Sequence, residues 1–227
     1  MILITGDTHG TIDYNKIKII NNANILSKDD YLIIAGDFGG LFFEKELEKQ
    51  LSYYTKLPFM VLFVDGNHEN FDLINSYPVS IWNGGKVHII KDNIIHLMRG
   101  QIFTIEGKTI FTFGGGTSID KMFRKEHVSW WKEEIPSEEE VEEGINNLKK
   151  YNNKVDYIIT HSIDSNTLND PRLFFEGRKC EIFEDNLILD KFENIIEYKH
   201  WYFGHYHKDV KINDKKTALY NTIYELI

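Results

Sequence analysis

Five short apolar runs, each ending beside a glycine or threonine and then a cluster of ligand-type side chains, constrain this chain more than any other feature. They are Ile2-Leu3-Ile4-Thr5, Tyr31-Leu32-Ile33-Ile34-Ala35, Met60-Val61-Leu62-Phe63-Val64, Tyr157-Ile158-Ile159-Thr160 and Trp201-Tyr202-Phe203. Near-continuous apolar runs of this length, bounded by turn residues, suit strands buried on both faces. Segments with helical spacing, around residues 12–23 and 44–56, lie between the first three. That alternation predicts βαβ units and parallel strands. The stretch 86–113 reads differently: Lys91-Asp92-Asn93 and Glu106-Gly107-Lys108 look like hairpin turns, so this part is expected to be antiparallel. Ser137 with Glu140 three residues later predicts a capped helix start. After His207 the chain returns to strands, with Asn213-Asp214 as a turn. No Pro/Gly/Ser-rich linker divides residues 1–227, so one domain of two packed sheets with helices outside is expected.

The residues just past each run carry the chemistry. The first leads to Gly6-Asp7-Thr8-His9-Gly10, the second to Gly36-Asp37, the third to Gly66-Asn67-His68-Glu69, the fourth to His161, and the last to Gly204-His205-Tyr206-His207. Carboxyl ends of parallel strands share one edge, where ligands bind, so these distant residues should meet in a single crevice. Five of the nine histidines fall in these motifs. Carboxylate and imidazole donors without thiolate suit manganese, iron, zinc or nickel. Asp7-x-His9 and His205-x-His207 each place two donors on one side of an extended segment. Asp7, His9, Asp37, Asn67, His161, His205 and His207 are too many donors for one ion and suit two that share a carboxylate.

This ordered set resembles the signature of the calcineurin-like metallophosphoesterase superfamily: D-x-H, G-D, G-N-H-[ED], H and G-H-x-H. The motif-bearing span runs from residue 6 to 207. The resemblance implies a four-layer αββα sandwich, two mixed β-sheets flanked by helices. It implies that Asp7, His9 and His207 hold one metal, that Asn67, His161 and His205 hold the other, and that Asp37 bridges both. His68 is then the acid or electrostatic catalyst, and hydroxide activated by the two metals is the attacking group. Manganese is the first choice of metal, with iron, zinc or nickel as alternatives.

One departure bears on the substrate. Phosphoprotein phosphatases of this superfamily extend the second motif to G-D-x-x-D-R-G, whereas here it reads Gly36-Asp37-Phe38-Gly39-Gly40-Leu41. The Asp that supports the catalytic His and the Arg that binds phosphate are both missing. Arg99, Arg124, Arg172 and Arg178 are the candidate replacements for phosphate binding.

Composition limits the partners. The net charge of −9 (26 basic against 35 acidic residues) counts against a duplex nucleic acid substrate without excluding it. The block Glu138-Glu139-Glu140 and Glu142-Glu143 reads as a solvated helix face. No apolar run approaches a membrane span, Met1 is followed by no leader pattern, and Cys180 has no partner for a disulfide. A cytoplasmic protein acting on a phosphate ester, small or nucleotide-like, is expected. A nuclease subunit and a non-catalytic module that keeps the fold are the alternatives. Gly114-Gly115-Gly116-Thr117-Ser118 is either a phosphate cradle or a bend. Trp130-Trp131 and Phe174-Phe175 read as core or loop anchors, and His88, His96, His127 and His200 as ordinary packing residues. Residues 114–136 and 163–185 are expected to form loops over the crevice.

Overall fold

Side chains alternate between two faces along every motif-bearing strand, yet neither set is exposed. In β1 (Ile2–Thr5) the side chains of Ile2 and Ile4 join one apolar cluster while Leu3 joins another. The same split divides β2 (Tyr31–Ile34) and β3 (Met60–Phe63), where Ile33 and Leu62 face one cluster and Leu32, Val61 and Phe63 the other. Successive side chains of a strand point to opposite faces, so continuous apolar runs require cover on both.

The computed structural model describes residues 1–227. The remaining strands are β4 (Val79–Trp82), β5 (Gly85–Lys91), β6 (Ile94–Leu97), β7 (Gln101–Ile105), β8 (Lys108–Phe113), β9 (Tyr157–Thr160), β10 (His200–Phe203), β11 (Val210–Lys211), β12 (Lys216–Ala218) and β13 (Ile223–Glu225). The helices are α1 (Asn15–Asn22), α2 (Leu47–Thr55), α3 (Phe71–Asn75), α4 (Glu138–Lys150) and α5 (Glu184–Glu193). One sheet runs β13-β1-β2-β3-β6-β5-β4 and the other β11-β12-β10-β9-β8-β7. Both are mixed: β1, β2, β3 and β6 are mutually parallel, as are β8, β9, β10 and β12, and antiparallel strands complete each edge.

Three apolar clusters separate four layers. The middle one, with Ile4, Ile33, Leu62, Phe103, Ile110, Ile159 and Tyr202, draws from both sheets. A second packs Ile17 and Ile20 of α1 and Leu51 and Tyr54 of α2 on the outer face of the first sheet. The third packs Val141 and Leu148 of α4 and Ile188, Leu189 and Phe192 of α5 on the second. This is the αββα sandwich of two mixed sheets flanked by helices. The α4 start is capped as its sequence implied, with Ser137 and Glu140 bonding reciprocally to each other's backbone.

The stretch 86–113 is antiparallel only in part. The β5–β6 and β7–β8 hairpins belong to different sheets, and β6 runs parallel to β3 while β8 runs parallel to β9. The chain crosses between sheets at Met98-Arg99-Gly100, where Gly100 adopts φ +69° and packs against Gly144 of α4. Hairpin turns report local pairing; which sheet a hairpin joins depends on distant partners. A second crossing, Leu219–Thr222, carries the chain from β12 to β13.

Candidate metal centre

Each ligand-type residue lies just past the carboxyl end of a parallel strand: Asp7 and His9 after β1, Asp37 after β2, Asn67 after β3, His161 after β9, and His205 and His207 after β10. His9, Asp37, His205 and His207 all have positive φ, between 44° and 67°. The left-handed region is unfavourable for side chains of this kind, at roughly 1–3 kcal/mol each, and persists where the surroundings over-determine it. Here it aims four donors inward. At Gly36 and Gly204 the ligands themselves exclude a side chain, since a Cβ would overlap the His161 ring at the first and the Asp7 carboxylate at the second.

The donors form two groups that meet at Asp37. In one, Asp7, His9 and His207 converge. His207 Nε2 lies 3.1 Å from Asp7 Oδ2, and His9 Nε2 lies 3.2 Å from Asp37 Oδ2. In the other, His161 Nε2 lies 3.3 Å from Asp37 Oδ1, 3.1 Å from Asn67 Oδ1 and 3.1 Å from His205 Nδ1. Asp7 is near both, with Oδ1 3.9 Å from His161 Nδ1. His161 Nδ1 donates to the Ala35 carbonyl at 3.0 Å, which fixes the tautomer and turns the Nε2 lone pair inward. Lone pairs of two carboxylates, an amide oxygen and imidazoles thus face one another across about 3 Å gaps. Asp7 Oδ2 is buried and no hydrogen bond reaches it, despite His207 nearby. Asp7 Oδ1 accepts the His205 N–H at 3.1 Å, so it is Oδ2 that is left open to a cation, which a buried carboxylate oxygen favours. The donor set fits divalent transition metals.

The electrostatics agree. Burial alone would lower the pKa of His161, yet Asp37 and Asp7 draw it up to about 10. His9 is likewise pulled up to about 9 against its burial, chiefly by Asp37. His205 is pushed down to about 4 by burial and by His161. Burial would raise Asp37, but His161 and His9 hold it well below the usual carboxylate range. The protein interior thus holds two carboxylates ionised and attracts positive charge to the space between them.

Supporting contacts reach residues that no motif marks. Asn67 Nδ2 donates to Ser118 Oγ at 3.1 Å, which turns Oδ1 toward His161. Ser118 in turn is held by the buried Glu134 through its hydroxyl, at 2.7 Å, and its backbone N–H, at 2.9 Å. Ser118, at the end of the Gly114–Ser118 segment, thus helps to orient Asn67. Glu69 accepts the Phe38 N–H at 2.6 Å and so braces the loop that carries Asp37.

His68 lies against the cluster: one of its donor atoms falls within 4.8 Å of those of His9 and Asp37, outside the second group. Its N–H donates to Asp37 Oδ1 at 2.8 Å, and its ring meets that of His9 edge-on at 5.1 Å. Burial, and secondarily Arg124, lower its pKa, with Asp37 opposing them. The Asp and Arg positions of the longer phosphatase motif fall on Gly40 and Leu41. A side chain at Gly40 would press on the Phe38 ring, and Leu41 is fully buried in the outer apolar cluster. Neither residue present there supplies a polar group to the site.

A cleft of about 870 Å³ opens over Asp37, Asn67, His68, His205 and His207, walled by residues 117–124 and 173–186. Of the four candidate arginines, Arg124 and Arg178 line it. Arg124 Nη2 lies 3.4 Å from His68 Nε2 while its Nε pairs with Asp120 at 2.8 Å. The other two do not line it. Arg99 is buried behind the site and donates to Asp65 Oδ2 through Nε at 2.8 Å and Nη2 at 2.5 Å, with Glu140 on its third nitrogen. Arg172 is turned outward, bound to Asp170 and the Lys211 and Ile212 carbonyls. His96 belongs with Arg99: it bonds Asp65 at 3.0 Å and His88 at 3.1 Å.

No curated protein matches the chain at a significant level. Among solved structures it is similar to the crystal structure of TT1561 of Thermus thermophilus, at 13% identity and a TM-score of 0.48, with 96% of this chain and 87% of that one covered. The family model for calcineurin-like phosphoesterase matches residues 1–209, a span that takes in every donor described above, and the chain belongs to that family.

Proposed function

We propose that residues 1–227 form one catalytic domain, a dinuclear metal-dependent phosphoesterase whose substrate is a small, nucleotide-like phosphodiester. The observation that carries this reading is the convergence of seven donors into two groups sharing Asp37, with His68 and Arg124 on the open side. Asp7, His9, Asp37 and His207 would hold one ion and Asp37, Asn67, His161 and His205 the other. Manganese suits this oxygen and imidazole set, as iron, zinc and nickel also do. When bound, the two cations neutralise phosphoryl oxygens and lower the pKa of a water between them.

The chain's own residues supply the rest. Arg124 offers guanidinium N–H donors above the cluster, where an anionic phosphoryl group would sit. An arginine has no acceptor, so its contact with His68 needs the Nε2 lone pair, with the ring proton on Nδ1. When phosphate draws Arg124 away, Nε2 is free to take up a proton from solvent and then deliver it to the leaving oxygen, an effect worth ~10²–10⁴ in rate.

The cleft speaks for the substrate class. Its walls carry Lys121, Arg178, Lys179 and Lys208, none of them in an ion pair, in a chain of net charge −9. Leu173, Phe175, Phe183 and Tyr206 supply apolar surface beside them. Such a cleft suits a leaving group with a flat apolar part and further negative charge, as a nucleotide has. A diester carries one negative charge on its scissile phosphate and depends on leaving-group assistance, which His68 can give without the missing clamp. A single-stranded nucleic acid end would meet the same cations and is the second reading.

The test is a metal-by-substrate screen of manganese, nickel, zinc, iron and magnesium against para-nitrophenyl mono- and diesters, cyclic nucleotides, short oligonucleotides and a phosphopeptide. Nucleotide diesters should give the highest kcat/KM, with manganese among the activating metals. A phosphopeptide preferred tenfold, or ~1.4 kcal/mol of transition-state stabilisation, would overturn the diester assignment.

A further inference from the structure

Tyr220 lies beyond residue 209, where the family match ends, and outside every sequence motif. It sits in the crossing from β12 to β13, and both of its ends are tied down. Its N–H donates to Asp209 Oδ1 at 2.8 Å, and its carbonyl accepts from the buried Lys16 ammonium. Lys16 also reaches the Asp7 carbonyl, at 2.5 Å, and lies 5.2 Å from the centre of the Tyr220 ring.

From this anchored position the side chain acts on two donors of one group, on His9 through Asp13 and on His207 directly. The Tyr220 hydroxyl donates to Asp13 Oδ1 at 3.0 Å. The other oxygen of Asp13 accepts from His9 Nδ1 at 2.7 Å, leaving His9 Nε2 directed at Asp37. The ring itself stacks on His207, with centroids 4.7 Å apart and planes 17° from parallel. His207 needs that support: its side chain is 49% exposed, and beyond the approach to Asp7 its other ring neighbour is the edge of His9, at 5.1 Å.

We propose that Tyr220 is a positioning residue for the metal held by Asp7, His9 and His207, setting the His9 ring through Asp13 and the His207 ring by stacking. This rests on the dinuclear reading. The hydroxyl occupies the Asp13 oxygen that His9 does not use, so the carboxylate plane cannot rotate away from the imidazole. Partners that orient ligand imidazoles in this way typically contribute ~10–100-fold to metal affinity. The second group, Asn67, His161 and His205, is held by Ala35 and Ser118 instead and makes no use of Tyr220.

The experiment is a two-site manganese titration by calorimetry on the full chain and on Tyr220→Phe, Tyr220→Leu and Asp13→Asn, with melting of the metal-free proteins alongside. Tyr220→Phe keeps the stack and loses the hydroxyl, so one site should weaken about tenfold while the other is unchanged. Tyr220→Leu removes both contacts and should weaken the same site about a hundredfold; Asp13→Asn should resemble Tyr220→Phe. Melting of the metal-free Tyr220→Phe protein should match that of the unaltered chain. Unchanged affinity in Tyr220→Phe, or equal loss at both sites, would overturn the positioning role, and Tyr220→Phe decides the matter even if Tyr220→Leu does not fold. A parent chain binding fewer than two equivalents would overturn the dinuclear reading itself. In that event equal affinity of all four proteins for the single ion would overturn the role of Tyr220 as well.

Discussion

Arg124 holds His68 from the solvent side: its Nη2 stands 3.4 Å from Nε2 of the imidazole, while Asp37 holds the His68 backbone N–H from beneath at 2.8 Å. The Asp that orients this His in related phosphatases has no counterpart, and Arg124 is the polar group that reaches the His68 ring. Arg124→Ala should therefore lower kcat/KM for the best substrate by ~10²–10³, the usual cost of removing one charge-stabilising donor. Arg124→Lys should recover little of it, since an ammonium cannot present the same fork. His68→Ala should keep two metals and lose ~10²–10⁴ in kcat. Metal analysis beside steady-state kinetics checks all three, and loss of metal in His68→Ala would make His68 a ligand.

Metal removal should destabilise the fold measurably. Asp7 and Asp37 are both fully buried, and Asp7 Oδ2 accepts no hydrogen bond. An ion at a hundred times its Kd adds ~2.7 kcal/mol to the native state. For a chain of this size that corresponds to a fall of about 5–11 °C in Tm on chelation. Asp37→Ala should lower the occupancy of both sites together, and scanning calorimetry with elemental analysis reads both quantities. Loss of one ion alone would show that Asp37 is not shared.

Arg99 and Arg178 should part company under substitution. Arg99 is buried against Asp65, and a broken buried pair costs about 3–5 kcal/mol, so Arg99→Ala should melt far earlier without raising KM. Arg178 lines the cleft and has no ion-pair partner, so Arg178→Ala should leave Tm unchanged and raise KM about tenfold, as a lost charged hydrogen bond of ~1.5 kcal/mol does. Thermal melts and Michaelis curves on the two variants separate these outcomes. A KM effect at Arg99 would restore it as a substrate contact.

Asp156 gives the fold a pH-dependent tie away from the site. Its carboxylate accepts the Thr109 N–H at 2.8 Å and hydroxyl at 3.0 Å and pairs with Lys199 at 2.8 Å. Burial would raise its pKa, but Lys199 and Thr109 hold it below the usual value. A depressed carboxylate contributes stability above its unfolded pKa, ~3.9, which is lost as pH falls through the folded value. The Tm gap between the parent chain and Asp156→Asn, measured in chelator, should therefore be largest near neutral pH and close below about pH 4. A constant gap would mean that the contribution is not ionic.

Much of this protein is legible in local order. Continuous apolar runs implied strands covered on both faces, and the three apolar clusters around Ile2–Thr5 and its neighbours supply that cover. The donors stand directly after those runs because a parallel sheet aligns strand ends, so adjacency in sequence becomes convergence in space. Ser137 and Glu140 capped their helix because capping is a contact across three residues. Long-range contacts decided the rest. Arg99 and Arg124 are equal candidates as letters, yet a crossing between sheets buries one against Asp65 while a loop leaves the other beside His68. The positive φ of His9, Asp37, His205 and His207 is only weakly marked in residue type: aspartate and histidine are enriched in that region, yet adopt it at few of their positions, which local sequence does not single out. Tyr220 and Ser118 carry no motif either. Each acts by meeting a ligand far from it in sequence, His207 and Asn67, and pairings of that kind exist only once both sheets have closed.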